Sequence, residues 1–176
     1  MIMNMNKYDI LIESDRIAIV KMDTSMYFDV HKNSLDEDNR KFVPDEVFET
    51  VEDAKEVVDY LISCYQGDEG PFVYAIIRKS DDTNIGYIQL INIGENWEIG
   101  YHIAKIFTNN GYATEAVKLF LTYLKRTNLK EIYGIALSAN KSSRRVLEKC
   151  GFKLIFEGMG PYQGKRRKII KTVKEI

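Results

Sequence analysis

Residues 108–115 read TNNGYATE and run directly into AVKLFLTYLK. Two asparagines and a glycine ahead of an amphipathic helix can hold an anion. The first backbone N–H groups of a helix have no partner within it and sit at the positive end of its macrodipole. Asn109 and Asn110 tolerate the partly left-handed backbone of an anion-cradling nest, and Gly111 removes the Cβ that would hold a phosphate off the amides. Ala113 keeps that surface low. In isolation the same pattern also serves as an ordinary turn. A P-loop is excluded because no Gly-Lys-Ser/Thr follows, and a Rossmann fingerprint fails for want of a third glycine. The two cysteines, Cys64 and Cys150, stand alone at apolar positions of expected helices, without metal-ligand spacing. They read as buried thiols of a reducing compartment, and no metal is expected.

The elements that must position this loop alternate in type. RIAIVKM (16–22) is a β-rich run, and Thr24 is placed to cap a weakly amphipathic helix over 25–34. SLDEDNRKFVPDEVFE is polar and acidic, a loop or broken helix. Thr50 and Asp53 form a capping-box pattern, followed by Ala54, Val57, Val58, Leu61, Ile62 and Tyr65 at helical spacing. FVYAIIRK (72–79), NIGYIQLINI (84–93) and WEIGYHIA (97–104) are separated by short turn clusters and predict an antiparallel meander. Ala113, Ala116, Val117, Phe120, Leu121 and Leu124 mark one face of a second helix, and EIYGIALSA (131–139) is a strand. A short helix near 141–150 stops at Gly151, suited to the left-handed C′ position, before the strand FKLIFEG and a basic strand within GKRRKIIKTVKEI. The order β-α-α-β-β-β-α-β-α-β-β predicts an α/β layered domain.

At 176 residues the chain is read as one domain, 1–176, long enough to bury a sizeable core. Twenty-five Lys and Arg against 26 Asp and Glu give a net charge of −1, so no global field draws it to DNA or an anionic membrane. MIMNMNKYDILIES has no basic-then-apolar leader pattern, and no apolar run approaches the roughly 18 residues of a membrane span. A cytoplasmic protein is the expectation.

GYHIAKIFTNNGYATEAVKLFLTYL, followed by SANKSSRRVLEKCGFKLIFEG, resembles the GCN5-related N-acetyltransferases, especially their RimJ/RimL-like branch. The likeness spans residues 16 to about 158. It implies a single-domain GNAT fold, an α+β mixed sheet that is central, twisted and mostly antiparallel, flanked by helices and splayed between the strands near 97–104 and 131–138. It also implies acetyl-CoA as cosubstrate. In the family the loop-helix motif reads Gln/Arg-x-x-Gly-x-Gly/Ala and its amides hold the pyrophosphate; here it is Thr108-Asn109-Asn110-Gly111-Tyr112-Ala113. Thr108 departs from Gln/Arg, so one side-chain contact is missing or reduced to a hydroxyl. The pantetheine arm enters the splay as a pseudo-strand, which the resemblance assigns to backbone groups of His102 and Ile103. The Ile103 amide is then a one-donor oxyanion site. Asn140 matches the family asparagine that caps the next helix and can reach the cofactor.

The implied chemistry is acyl transfer from a thioester to a neutral amine. Deprotonation at pH 7 costs about 1 kcal/mol for an α-amine and about 4–5 kcal/mol for a lysine-like amine. Glu98, in Glu-Ile-Gly-Tyr, matches the family's strand glutamate and is the candidate base through a water; a solvent-facing strand glutamate is the alternative. His102 lies four residues on, nominally on the same face, unless a bulge near Gly100 breaks the parity. His31, on the first helix, borders the substrate mouth or is a surface histidine. The family tyrosine that protonates the thiolate falls seven residues after the asparagine, where this chain has Leu147. In the RimL-like branch a serine takes that role. Ser143 occupies the matching place, with Ser142 and Ser138 near, although each can instead satisfy helix-start amides.

Asp36, Glu37, Asp38, Asp45, Glu46, Glu49, Glu52 and Asp53 crowd the region that walls the family's acceptor site. They form either a rim attracting a cationic amine or an ordinary solvated face. Lys165, Arg166, Arg167, Lys168, Lys171 and Lys174 form a basic run, suited to ribosomal RNA or to protecting a sheet edge. Three readings remain. One is an enzyme acetylating the α-amine of a protein N-terminus, such as a ribosomal protein's. The second acetylates a small amine such as a polyamine or aminoglycoside. The third, suggested by Thr108 and Leu147 departing together, is a non-catalytic acyl-CoA-binding module. A homodimer is left open.

Overall fold

The computed structural model describes residues 7–176, so the first six residues of the N-terminal stretch lie outside the described part. Eight strands form one sheet in the order β1-β2-β3-β4-β5-β6-β8-β7. They are β1 (Ile10–Glu13), β2 (Ile17–Lys21), β3 (Phe72–Arg78), β4 (Thr83–Asn92), β5 (Trp97–Ile103), β6 (Glu131–Leu137), β7 (Lys153–Tyr162) and β8 (Lys165–Glu175). The α-helices of the described chain are α1 (Tyr27–Ser34), α2 (Glu37–Phe42), α3 (Val51–Cys64), α4 (Tyr112–Leu124) and α5 (Lys141–Lys149), with short 3-10 turns between elements.

Strand β2 shows why the sheet needs helices on both faces. Ile17, Ala18, Ile19 and Val20 are all fully buried, although successive side chains point to opposite sides. Ile17 and Ile19 join the core with Ile76, Ile88, Phe120 and Leu124, under α4 and α5. Ala18 and Val20 join Val58, Leu61, Val73, Ala75 and Ile77, under α3. A continuous apolar run is the signature of such doubly covered strands. The meander β3-β4-β5 is antiparallel as expected, and β5 keeps unbroken register with β4 from Asn92↔Trp97 to Gly86↔Ile103. No bulge interrupts β5 at Gly100, so Glu98 and His102 do share a face.

The meander hands over to β6 through α4, and this connection makes β5 and β6 parallel. They pair at one position only, Glu98↔Tyr133. Beyond it the strands diverge, leaving the edge of residues 99–103 open. Every other neighbouring pair in the sheet is antiparallel.

Several local expectations hold. Thr50 and Asp53 form a reciprocal capping box on α3, and Gly151 adopts φ +80° just past α5. Others are corrected. Asp23, not Thr24, caps the first helical segment by accepting from the Ser25 N–H, and a 3-10 turn at Thr24–Met26 precedes α1. The acidic stretch is a broken helix: α2, capped by Asp36, then a 3-10 turn over Pro44–Glu46, because Pro44 cannot continue the hydrogen-bond ladder. Strand β1 was not anticipated. The basic strand β8 lies inside the sheet between β6 and β7, so its cations guard no edge; β7 is the edge. Cys150 is buried, but Cys64, ending α3, is only half-buried. Among the described residues no helix is long and apolar enough to cross a membrane.

Candidate active site

The loop before α4 has the backbone the sequence called for. Asn109 and Gly111 both have positive φ, +63° and +80°, and Gly111 is the N-cap. The Asn110 side chain donates back to the carbonyls of Phe107 (3.1 Å) and Thr108 (2.9 Å), fixing the turn. A Cβ on Gly111 would project into open space, its nearest neighbour Arg16 Nη2 at 3.7 Å. That is the room an anion over the first α4 amides needs; Tyr112 and Ala113 supply the first of them. The Thr108 hydroxyl donates to the Lys105 carbonyl at 2.7 Å, so its proton is spent inside the loop. A cation not anticipated from sequence stands beside it. Arg16 donates to the Asn110 carbonyl at 3.2 Å, pairs with Glu115, and lies over the Tyr112 ring at 4.7 Å. Its position ahead of β2 carries no motif, so only the fold brings it there.

The loop leads to a cleft of about 260 Å³ between the diverging β5 and β6. The Ala104 N–H donates to the Ile85 carbonyl at 2.9 Å, so alternation along an antiparallel ladder turns the His102 backbone into β4 and the backbones of Tyr101 and Ile103 toward the gap. Gly86 agrees: a Cβ there would lie 2.0 Å from the His102 carbonyl oxygen. Of the two backbone positions expected to line the gap, Ile103 does and His102 does not.

Across the gap, Asn140 Oδ1 accepts from the Ser143 N–H at 3.0 Å, capping α5. Its amide nitrogen is not used by that cap, so one side chain can both cap and donate to a ligand. The Tyr101 hydroxyl donates to the Ser143 carbonyl and lies 3.1 Å from Ser143 Oγ, either atom of that second pair being a possible donor. Burial pushes the Tyr101 hydroxyl well above its ordinary pKa, keeping it protonated. Tyr101 was not singled out from sequence, because its partner lies 42 residues away. Leu147 is fully buried and fills space that Gly134 vacates, a Cβ there falling 2.7 Å from Leu147 Cδ2. The departure at 147 is thus a packing residue on the cleft floor. Ser138 Oγ is buried with no hydrogen-bond partner among the described residues.

Glu98 lines the same cleft from the opposite face of β5. Burial, reinforced by the nearby Glu46 charge and only partly offset by Lys171, pushes its carboxyl up to about 7. Along that face Gln89 sits opposite Gly100. A Cβ at Gly100 would come within 2.7 Å of the Gln89 amide, so the glycine makes room for it. Gln89 Nε2 in turn donates to Glu46 Oε1 at 3.2 Å. His102, next along, lies 3.1 Å from Asp36 Oδ2. Burial would raise the Asp36 carboxyl, but hydrogen bonds from His102 and from the Asn39 and Lys105 amides, with the His102 charge, bring it down to about 2.

The acidic rim is mostly committed elsewhere. Asp36 serves His102 and the Lys105 N–H, Glu37 and Asp38 flank Lys105 Nζ, Glu49 pairs with Arg40, and Asp53 completes the α3 cap. His31 Nδ1 lies 2.9 Å from the Phe48 carbonyl, which ties α1 to the segment before α3. A second cavity of about 270 Å³ opens between α1, α3 and the sheet, and Glu46, Tyr87 and Gln89 line both cavities. Among the described residues no group of His, Cys, Asp and Glu is arranged to hold a metal.

Comparison with known proteins accords with this geometry. The family described as "Acetyltransferase (GNAT) domain" matches residues 16–153. The Bacillus subtilis (strain 168) protein "Uncharacterized N-acetyltransferase YnaD" is 31% identical over 145 residues, 81% of this chain and 82% of that one. A GNAT-family acetyltransferase structure from Bacillus anthracis superposes with TM-score 0.80 at 24% identity, covering 93% of this chain and 97% of the other. RimL, described as a ribosomal L7/L12 alpha-N-protein acetyltransferase in complex with coenzyme A, gives TM-score 0.78 at 17% identity, covering 95% and 98%. A cradle before α4, an open β5 edge and a family match over most of its length make this chain a member of the GNAT acetyltransferases, an acetyl-CoA-dependent N-acetyltransferase.

Proposed function

We propose that the acceptor is the α-amine of a protein or peptide N-terminus. The observation that carries this reading is the junction of the two cavities. An amine entering from the α1–α3 side reaches the β5–β6 cleft through the neck at Glu46, Tyr87 and Gln89, with Glu98 on the same face. A base of pKa near 7 suits an α-amine near 7.7–8.0 far better than a lysine amine near 10.4. The likeness to RimL, described as an alpha-N-protein acetyltransferase, supports the same class.

In this reading the amides of Gly111, Tyr112 and Ala113, within the Thr108–Ala113 loop, hold the pyrophosphate, with Arg16 beside them. Asn140 Nδ2 and the backbone of Ile103 hold the pantetheine and thioester. The amine nitrogen attacks the thioester carbonyl carbon and the C–S bond breaks. Glu98 takes the amine proton, directly or through a water, and the Ile103 N–H faces the developing oxyanion. Ser143 and Tyr101 present hydroxyls toward the departing sulfur. His102, held by Asp36, orders the neck.

Two substitutions test the α5 side. Asn140→Asp keeps the cap oxygen but removes the amide donor and adds charge. It is expected to weaken acetyl-CoA binding while the melting temperature holds, whereas unchanged affinity for acetyl-CoA would reduce Asn140 to a cap. Tyr101→Phe and Ser143→Ala are each expected to lower kcat less than about 10-fold, because a thiol of pKa near 8.5 leaves without much acid assistance. A larger fall in single-turnover rate would mark an obligatory acid.

The acceptor class is tested by acetyl-CoA-dependent release of CoA thiol, with short peptides of varied N-termini in one series and polyamines and aminoglycosides in the other. Turnover of peptides is expected. Turnover confined to small amines would overturn the reading, and acetyl-CoA binding without any turnover would favour a cofactor-binding module.

A further inference from the structure

The cavity between α1, α3 and the sheet is not built like a site for a polycation. Its walls are Met22, Val30, Phe48, Val57, Leu61 and Val73, all apolar. Polar side chains also reach it, but most are spent on the protein. Asn33 donates to the Asn84 carbonyl at 2.9 Å, Asn84 Oδ1 accepts from the Gly86 N–H at 3.1 Å, and Ser34 Oγ accepts from the Phe48 N–H at 3.0 Å. Asn39 donates to the Ser34 carbonyl at 3.1 Å, while its Oδ1 has no partner among the described residues.

The second unpartnered acceptor, and the one that can carry charge, lies at the neck. Glu46 Oε1 accepts from Gln89, while Glu46 Oε2 is buried with no hydrogen-bond partner among the described residues. Burial pushes the Glu46 carboxyl above its usual range, only partly offset by Gln89 and His102, so ionising it with one oxygen unpartnered is costly unless a bound cation supplies the missing hydrogen bond and charge. Here the vacant acceptor stands where the apolar cavity meets the thioester cleft, with Glu98 as its neighbour carboxyl. Asp45, at the mouth, and His102, already bonded to Asp36, are the other titratable groups lining the apolar cavity, with Tyr60 and Tyr87.

We propose that Glu46 is the ammonium-binding carboxylate of the acceptor site and that the cavity behind it receives an apolar side chain. The acceptor is then a monocationic amine carrying a compact apolar group, namely an N-terminal residue such as leucine or phenylalanine. This rests on the N-terminal acetyltransferase reading. The ammonium donates one N–H to Glu46 Oε2, its remaining bonds orient the nitrogen toward the thioester in the cleft, and the side chain lies against Val57, Leu61 and Phe48. A second amine in a polyamine would have to lie against those apolar walls with only the neutral Asn39 Oδ1, or Asp45 at the mouth, to receive it, which disfavours it.

The test is a titration of the CoA-saturated protein, read calorimetrically so that it does not depend on turnover. The probes are phenylalaninamide, leucinamide, glycinamide, phenethylamine and spermidine. Phenylalaninamide and leucinamide are expected to bind about 10- to 100-fold more tightly than glycinamide, from burial of one apolar side chain. Glu46→Gln, nearly isosteric, is expected to weaken them about 10- to 100-fold, the effect of losing a charge-assisted hydrogen bond, while acetyl-CoA affinity holds. Val57→Phe, half-buried on the cavity-facing side of α3, fills the cavity and is expected to erase the preference over glycinamide. Equal or tighter binding of glycinamide or spermidine, or an unchanged affinity in Glu46→Gln, would overturn the inference. Phenethylamine binding as well as phenylalaninamide would keep the apolar monoamine site but sink the peptide reading, so the two failures are distinguishable.

Discussion

Glu98→Gln is expected to lower kcat about 10²-fold or more with a peptide acceptor whose amine is ionised at neutral pH. The reason is the position of Glu98 in the cleft between β5 and β6, where burial first and the Glu46 charge second push its carboxyl up to about 7. Below pH 7 the free enzyme carries this carboxyl protonated and unable to accept a proton. The acidic limb of kcat/KM should therefore rise with a midpoint near 7 and vanish in the variant. When an ammonium binds beside Glu46 and Glu98, its charge favours the ionised form, so the limb in kcat should lie at lower pH than the limb in kcat/KM. A limb that survives Glu98→Gln but disappears in His102→Ala would move the base to His102.

The same variant carries a stability signature of opposite sign. A carboxyl whose folded pKa is raised above its ordinary value of 4.5 binds its proton more tightly in the folded state. Stability is then lost as pH rises from about 4.5 through about 7, because the carboxylate must ionise in a poorly solvated site. Glutamine cannot ionise, so the Glu98→Gln protein should melt at higher temperature than the parent at pH 8 and differ little at pH 4. Slower turnover with greater stability separates an active-site group from a structural one, whose loss would lower both.

Gly111→Val is expected to remove acetyl-CoA binding. Gly111 sits at φ +80°, where a β-branched side chain costs about 1–2 kcal/mol, and its Cβ would project into the open space above the α4 amides. If two charge-assisted hydrogen bonds to the pyrophosphate are lost, at about 1.5–3 kcal/mol each, the dissociation constant rises on the order of 10²- to 10⁴-fold. Gly111→Ala, with less strain, should fall between the two. A circular-dichroism melt of each variant without ligand separates loss of the site from loss of the fold. Retained affinity in the valine variant would show that the phosphates lie elsewhere.

How much of this was legible in the chain varied with the range of the interaction. Thr50 and Asp53 cap α3 through a contact three residues long, and the apolar spacing of α4 from Ala113 to Leu124 repeats within each turn, so both could be read directly. The loop at 108–113 was equally legible, since left-handed backbone at Asn109 and Gly111 is a property of those residues themselves. Strand β1 was not, because four residues, three half-buried and Glu13 exposed, carry too little pattern and owe their conformation to pairing with β2. Edge protection, one of the two readings of the β8 cation run, fails; lysine and arginine mark exposure of a face equally well, and only the order β6-β8-β7 distinguishes the two.

The sequence alone determined the periodic elements, the left-handed loop before α4 and the family resemblance, and it offered Glu98, Asn140 and Ser143 as candidates, because each of these is written in residues close together in the chain. Only the tertiary structure brought Glu46 over Gln89, 43 residues away, and Tyr101 to Ser143, 42 residues away. It also turned the Ile103 backbone to the gap and the His102 backbone into β4. Capping, propensity and periodicity act over a few residues and are encoded locally, whereas the burial that pushes up the Glu98 carboxyl comes from strands, helices and a 3-10 turn that meet only once the sheet has formed.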